Sequence, residues 1–195
     1  MKADALRRAL IGGGASSDFD LNPGTVLPPG RILRATAVLV AMQDFPGGPR
    51  LLLTKRSSHL QHHPGQIAFP GGKLDETDAS LTAAALREAQ EEVGLPPHCV
   101  QVLGELPSHE TVTGFTITPI LAQITAPFTP KPEAGEVDEV FTVPFDFVTN
   151  PANFKVEQRI WRGVLRSYYT VPYGPYYIWG ATARILRGLA ERLSR

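Results

Sequence analysis

Three glutamates are crowded into one short acidic run, which reads REAQEEVGL from Arg87 to Leu95. If this run is helical, Glu88 lies three residues before Glu91 and four before Glu92, so the three carboxylates share one face. Like charges on one face repel each other unless a cation lies among them, and oxygen-only ligands favour a hard ion such as Mg²⁺ or Mn²⁺. Arg87 precedes Glu91 by four residues and can brace its carboxylate. The alternative is a solvated helix face on which Arg87 merely offsets the glutamates.

A glycine-rich segment stands just upstream of the acidic run. Residues 69–72 read FPGG, which predicts a turn whose backbone can approach a ligand closely. The chain then continues through residues 73–78 into the acidic run. A glycine turn followed by a carboxylate-bearing helix suits the binding of a metal ion together with a phosphate group.

The acidic run needs a helix to position it, and residues 79–93 have the composition of one. Thr77 or Asp78 is expected to cap its N-terminus, Gly94 stands where a C-terminal glycine cap belongs, and Pro96 ends the helix. Further elements are predicted on both sides of it, namely strands at 34–42, 50–54, 100–106, 117–124 and 137–143 and an amphipathic helix at 177–193. Together they predict an α/β fold with a central mixed sheet between helices.

The first 30 residues are expected to form an irregular leader with a possible short helix at 3–11, followed by one domain over 31–195. Within that domain, the FPGGP turn at 45–49 joins the first two strands into a hairpin.

Charge and cysteine content exclude some classes of function. The chain has 19 basic and 19 acidic residues, which argues against a general nucleic-acid binder, although a local pocket can still be basic. Cys99 is the single cysteine, which fits a reducing compartment. No signal peptide and no bilayer-spanning run is evident. We therefore expect a cytoplasmic protein, monomer or homodimer, that acts on a small molecule without nucleic-acid or membrane partners.

The acidic run resembles the second half of the signature of the Nudix hydrolase superfamily, R-E-U-x-E-E-x-G-U with U aliphatic. The residues that match are Arg87, Glu88, Ala89, Glu91, Glu92, Gly94 and Leu95. In the first half, Gly72 lies one position too far upstream of Arg87, and the expected intervening glutamate has no counterpart. The resemblance implies a Nudix-type α/β/α sandwich. It also implies that Glu91 and Glu92 are metal ligands, that Glu88 binds a metal or takes a proton from water, and that Arg87 orients Glu88.

The same resemblance implies further ligands. The Gly71 carbonyl is expected to complete the metal shell, assisted by a carboxylate from a later loop. Glu136 is the candidate for that carboxylate and Glu139 the second candidate, although either can equally be a surface acid. The histidines of residues 59–63 lack zinc-site spacing and a cysteine partner, so we interpret that segment as a tight loop or part of the pocket wall.

A second motif covers residues 52–72, which read LLTKRSSHLQHHPGQIAFPGG. It resembles the pattern of the coenzyme A diphosphatase branch of the superfamily, except that Gln61 stands in place of an arginine. The extra residue before Arg87 also occurs in that branch. The resemblance implies hydrolysis of the diphosphate of coenzyme A or acyl-CoA, dependent on Mg²⁺ or Mn²⁺, to 3′,5′-ADP and 4′-phosphopantetheine or its acyl form. The residues expected to bind substrate are Lys55, Arg56, Gln66, Phe69, Gly71 and Gly72.

Two other functions stay open at this point. A Nudix hydrolase of another nucleoside diphosphate derivative, such as ADP-ribose or a damaged nucleotide, needs the same acidic helix, but the motif at 52–72 argues against it. A catalytically silent Nudix domain that senses a ligand is disfavoured because all four charged signature residues are present. The five tyrosines between residues 168 and 177 either stack on adenine or pack in the core.

Overall fold

A nine-stranded mixed sheet forms the centre of the computed structural model, which describes residues 3–25 and 30–194. The helices are α1 (Ala3–Ala9), α2 (Leu81–Val93), α3 (Phe145–Val148) and α4 (Gly180–Leu193). The strands of this sheet are β1 (Ser16–Ser17), β2 (Arg34–Phe45), β3 (Gly48–Arg56), β4 (Ile67–Ala68), β5 (Gly71–Lys73), β6 (Val100–Glu105), β7 (His109–Glu110), β8 (Phe115–Ile124) and β9 (Val137–Pro144). The strands β10 (Lys155–Trp161) and β11 (Val164–Thr170) form a separate two-stranded sheet.

Strand β2 is the central element of the large sheet. It runs parallel to β8 and antiparallel to β3 and to the short strand β5. Strand β9 continues the sheet beyond β3, and β6 continues it beyond β8. Residues 37–42 of β2 are buried on both faces of the sheet, which explains why this segment is almost entirely apolar.

The two faces of the sheet support two hydrophobic cores. Ala37, Leu39 and Ala41 point to the core under α2, whereas the alternate residues of β2 belong to the core that includes α4. This arrangement confirms the predicted α/β sandwich with a central mixed sheet. Leu6 and Ala9 of α1 are buried in the second core, so the helix of the predicted leader packs against the domain. Within the described residues, no helix is long and apolar enough to cross a membrane.

Several predicted boundaries are wrong. Helix α2 begins at Leu81, and its cap is Ser80, whose Oγ accepts a hydrogen bond from the Ala83 amide at 3.1 Å. Neither Thr77 nor Asp78 caps it. The predicted FPGG turn instead ends in strand β5, which pairs with β2. Helix α4 begins at Gly180 rather than at residue 177.

The predicted leader is more ordered than its composition suggests. Strand β1 pairs with β7, and the Asp18 carboxylate lies 3.1 Å from the ring of buried His109. The possible helix at 3–11 is present but ends at Ala9. Residues 1–2 and 26–29 of the leader, together with residue 195, lie outside the described residues.

The hairpin of β10 and β11 is an element that the sequence analysis missed. Its two-residue turn consists of Arg162 and Gly163, with φ of 50° and 77°. Positive φ at both turn residues matches the right-handed twist of an antiparallel hairpin. Strand β11 packs against α4, which places the hairpin beside the large sheet.

Candidate active site

Helix α2 holds its acidic residues close to the sheet because its opposite face consists of small side chains. Ala84, Ala85 and Ala89 are fully buried in the core beneath the helix. Such residues allow the helix axis to approach the strands closely, so polar groups on its flank reach strand β5. The helix ends at Gly94, which adopts a left-handed conformation with φ of 69° and donates its amide to the Gln90 carbonyl at 3.0 Å.

Glu92 is a buried carboxylate, with 5% of the residue exposed. Its Oε2 accepts a hydrogen bond of 3.0 Å from the amide of Gly71. Burial raises the pKa of Glu92 to about 7; the charges of Glu88 and Glu136 also raise it, and the Gly71 amide and Arg56 oppose the shift. The ionised carboxylate therefore lacks full compensation, which a nearby cation would supply.

Glu88 lies against the backbone of Gly72. A Cβ atom at Gly72 would overlap the Glu88 carboxylate, so the glycine leaves the space that this side chain occupies. Burial raises the pKa of Glu88, and the hydrogen bond from Arg87 acts in the opposite direction. The glycine segment and the acidic helix therefore meet at two points, Gly71 with Glu92 and Gly72 with Glu88.

Arg87 donates hydrogen bonds to three carboxylates through one guanidinium group. Its Nε and Nη2 donate to both oxygens of Asp78, at 3.0 and 2.9 Å, in a two-pronged arrangement. Its Nη1 lies 3.0 Å from Glu88 Oε1 and 3.1 Å from Glu91 Oε2. The hydrogen bonds from Arg87 lower the pKa of Asp78. The contact predicted between Arg87 and Glu91 is present, and Asp78 is an additional anchor of Arg87.

The two candidates for the later-loop carboxylate occupy different positions: Glu136 directly precedes β9, whereas Glu139 lies within that strand. Glu136 is exposed, but its charge acts on Glu92, and its carbonyl accepts a hydrogen bond of 2.8 Å from the Ser57 amide. Glu139 lines a cleft, where its Oε1 accepts a hydrogen bond of 2.6 Å from the hydroxyl of Tyr176. Glu136 is therefore the one of the two that interacts electrostatically with the acidic helix.

The donor set fits a hard divalent cation. Within residues 3–25 and 30–194, no three acidic, histidine or cysteine side chains already converge as the ligands of a bound metal do. However, burial raises the pKa of the Glu92 carboxyl, and the negative charges of Glu88 and Glu136 raise it further. Oxygen donors that repel each other in a partly buried site suit Mg²⁺ or Mn²⁺.

A cleft of about 850 Å³ lies next to this cluster. Its basic lining residues are Lys55, Arg56, Lys73, Arg159, Arg166 and Arg184, against the acids Asp18 and Glu139. The protein has no net charge, so this excess of basic residues is local. Such a cleft favours an anionic ligand.

Most of the residues predicted to bind substrate line this cleft, namely Lys55, Arg56, Gln66, Phe69 and Gly72. Phe69 is only 4% exposed and belongs mainly to the core. Gly71 is not among the lining residues; its φ is 154°, and a Cβ atom there would overlap the Ala37 carbonyl. Glu91 is the most exposed of the three glutamates, with 53% of its side chain accessible. His63 lines the cleft, whereas the other residues of 59–63 are not among its lining residues, so only the end of this segment is pocket wall.

The cleft also contains residues that the sequence analysis missed. Arg159, Trp161 and Arg166 come from the β10–β11 hairpin, and Trp179 precedes α4. Two stretches rich in strand-forming residues flank the dipeptide Arg-Gly in the sequence, and this was the signal for a hairpin there. Of the five tyrosines, four line the cleft, and Tyr176 also stacks on Phe141 with ring centroids 3.6 Å apart.

Comparisons with known proteins agree with this geometry. The model of the NUDIX domain matches residues 33–161. An uncharacterized Nudix hydrolase NudL of Salmonella paratyphi B is 45% identical over 160 residues, which span 82% of this chain and 83% of that protein. The crystal structure of the Nudix hydrolase RenU from M. smegmatis is 25% identical, with a TM-score of 0.50 over 61% of this chain and 81% of that one. A MutT/nudix family protein from Enterococcus faecalis, 15% identical, shares the fold with a TM-score of 0.51 over 87% of this chain and 65% of that one. The chain therefore belongs to the Nudix family of hydrolases.

Proposed function

We propose that this Nudix hydrolase cleaves the diphosphate of coenzyme A or of an acyl derivative, as a cytoplasmic monomer or homodimer. The observation that carries the proposal is the position of the motif at residues 52–72. Residues 55–56, 63–69 and 72 of this motif line the basic cleft, and Gly72 ends the motif against Glu88. The segment that resembles the coenzyme A diphosphatase pattern is therefore also the segment that connects the cleft to the acidic helix.

The size and lining of the cleft support an extended anionic substrate. Its volume of about 850 Å³ lies in the upper part of the range of small-molecule sites. Basic residues provide charge for phosphate groups, and Tyr168, Tyr177 and Trp179 provide aromatic surface for a base or an apolar arm. A dinucleotide-like substrate with a diphosphate in its middle needs both kinds of surface.

Glu88, Glu91 and Glu92 would hold Mg²⁺ or Mn²⁺, with Glu136 and the Gly71 carbonyl as further ligands. When bound, the cation would neutralise charge on the diphosphate and lower the pKa of the attacking water. The chain itself restrains these side chains through its own hydrogen bonds. The Gly71 amide holds Glu92, and Arg87 holds Glu88 and Glu91.

Hydrolysis requires that water attack one phosphorus of the diphosphate. A new P–O bond forms, the bond to the bridging oxygen breaks, and that oxygen leaves with the other phosphate. Glu88 is suited to accept the proton of the attacking water, because its carboxylate lies against Gly72 of the cleft and burial raises its pKa. Arg56 lines the cleft, and its charge acts on Glu92, which supports a role for its guanidinium in binding the diphosphate.

A substrate panel tests the proposal directly. Purified protein with Mg²⁺ would be incubated with coenzyme A, acetyl-CoA, NADH, ADP-ribose and 8-oxo-dGTP, and the products identified by mass. We expect the two coenzyme A substrates to be cleaved fastest, with release of 3′,5′-ADP. A clear preference for ADP-ribose or 8-oxo-dGTP would show that coenzyme A is not the main substrate. If no compound is cleaved, the protein is better explained as a ligand-sensing module.

A further inference from the structure

The β10–β11 hairpin brings two arginines directly opposite each other. Arg159 on β10 pairs with Arg166 on β11 in the antiparallel register, and both line the cleft. Like charges at directly opposed positions of an antiparallel pair destabilise it. In the part of the chain that the structure describes, neither guanidinium forms an ion pair with a carboxylate. The positive charges of the two arginines are therefore not balanced by an ion pair within the described residues.

Arg166 also lacks hydrogen-bond acceptors for part of its guanidinium group. Its Nε and Nη1 are shielded from solvent, and neither has an acceptor among the described residues. Buried donors normally find a partner, and leaving a charged donor without one costs free energy. The guanidinium thus lacks an acceptor at a wall of the cleft.

Neighbouring side chains hold the two arginines without neutralising them. Arg159 lies over the ring of Trp179, with its Cζ 5.0 Å from the centroid, and Arg166 lies over Trp161 at 5.1 Å. Glu157 is on the same face of the hairpin, but its Oε2 accepts a hydrogen bond of 2.5 Å from the Tyr177 hydroxyl. Aromatic contacts orient a guanidinium while leaving its N–H groups free for a ligand.

We infer that Arg159 and Arg166 together bind a phosphate monoester that the substrate carries at a distance from its diphosphate. A dianionic phosphate matches two guanidinium groups in charge and supplies several acceptor oxygens. The diphosphate itself belongs near Arg56, the guanidinium whose charge acts on Glu92, whereas the paired arginines stand on the separate two-stranded sheet. This inference rests on the proposed function, in which the 3′-phosphate of coenzyme A is the phosphate monoester.

The two tryptophans of the chain, Trp161 and Trp179, both line this part of the cleft, so their fluorescence reports on it. Metal-free protein in EDTA would be titrated with 3′,5′-ADP and with 5′-AMP, which differ only in the 3′-phosphate. We expect 3′,5′-ADP to bind about 10- to 150-fold more tightly, the factor for a charge-assisted contact. Arg166→Gln should abolish this preference, and Arg166→Lys should retain part of it.

Lys155→Gln is the matched control, because it removes one positive charge from the exposed surface of the same hairpin outside the cleft. It should leave the preference for 3′,5′-ADP intact. If Arg166→Gln does not fold, as judged by circular dichroism, Arg159→Gln would be used for the same test, because Arg159 is exposed and its substitution should not disturb the fold. Equal affinity of the wild type for the two nucleotides, or a preference that survives both substitutions, would overturn the inference. Failure of the proposed function appears separately, as absence of coenzyme A cleavage in the substrate panel.

Discussion

The amide of Gly71 donates a hydrogen bond of 3.0 Å to the Oε2 atom of Glu92. This bond ties the end of the FPGG segment to the buried end of the acidic helix. Because Gly71 also pairs with Val38 of the central strand, the carboxylate, the glycine backbone and the sheet form one continuous unit. A rigid support of this kind keeps mutually repelling carboxylates together in the absence of a cation.

Catalysis should depend on a divalent metal. We expect EDTA to abolish hydrolysis and Mg²⁺ or Mn²⁺ to restore it, because Glu91 and Glu92 both interact electrostatically with Glu88, and Glu136 interacts with Glu92. Without substrate, Mg²⁺ should raise the melting temperature, since an ion that binds only the folded state stabilises it. Full hydrolysis in EDTA would contradict a metal-dependent mechanism.

Removing one carboxylate should separate catalysis from folding. Glu91→Gln or Glu92→Gln is expected to lower kcat by at least ~100-fold, the scale for the loss of one electrostatic contact to the transition state. Thermal stability without metal should hold or rise, because one member of a repelling group is gone. Glu105→Gln, on the exposed face of β6, is the control and should change neither quantity. Variants that lose stability but keep turnover would identify these glutamates as structural.

The metal-free protein should become less stable as the pH rises through the range in which Glu92 titrates. Its pKa is raised from 4.5 to about 7, so between these values the folded state retains a proton that the unfolded state has lost. Stability therefore falls with increasing pH across this window, by up to about 3 kcal/mol at completion.

Urea denaturation in EDTA between pH 4.5 and 8 measures this effect. Glu92→Gln should remove most of the decline, because the amide does not ionise, while Glu105→Gln should retain it. An identical decline in Glu92→Gln would show that other groups cause it.

The acidic helix could be predicted because the residues that specify it are close together in the sequence. Periodic glutamates, alanines that face the sheet and a terminal glycine specify α2 within a few residues. The predicted N-cap is wrong because Ser, Thr and Asp are all good caps, and Asp78 instead accepts hydrogen bonds from Arg87 in the middle of the helix. That choice depends on the folded position of one long side chain, which local propensity does not encode.

The cleft was less predictable, because distant segments form it. Strand β5 exists only through its pairing with β2, so residues 69–72 resembled an isolated turn in the sequence. Arg159 and Arg166 are seven residues apart, and only the register of the hairpin shows that they face each other. Lys55 and Arg56 are predicted from the sequence to bind substrate, but the predicted strand ends at residue 54, whereas β3 extends to Arg56. Their place in the cleft also depends on the loop that follows β3.

Gly72→Ala should reduce turnover without disrupting the fold. The φ of Gly72 lies outside the left-handed region, so the backbone accepts alanine, but the new Cβ would overlap the Glu88 carboxylate. Displacement of a proton acceptor by a fraction of an ångström to about 1 Å can cost about 100-fold in rate. Gly47→Ala, in the open β2–β3 turn, is the matched control and should be neutral. Unchanged kcat in Gly72→Ala would mean that the position of Glu88 is not critical.

Arg56 should act on the diphosphate rather than on the 3′-phosphate. It lines the cleft, and its charge acts on Glu92, so Arg56 interacts electrostatically with the acidic helix. A charge-assisted contact is worth roughly 1.5–3 kcal/mol, or about 10- to 150-fold in affinity. Arg56→Ala is therefore expected to raise KM by about this factor for coenzyme A and for dephospho-coenzyme A alike, and to lower kcat.

The two arginine positions should thus respond differently to the same pair of substrates. Arg166→Gln is expected to raise KM for coenzyme A and to leave KM for dephospho-coenzyme A nearly unchanged. Arg56→Ala is expected to raise KM for both substrates. Steady-state kinetics of the two variants, with the exposed Arg8→Ala of α1 as control, distinguish these roles. If Arg56→Ala instead spares dephospho-coenzyme A, then Arg56 binds the 3′-phosphate, because only that group differs between the substrates. If Arg56→Ala leaves the kinetic constants of both substrates unchanged, Arg56 makes no productive contact. The motif at 52–72 would then select substrate through its other residues.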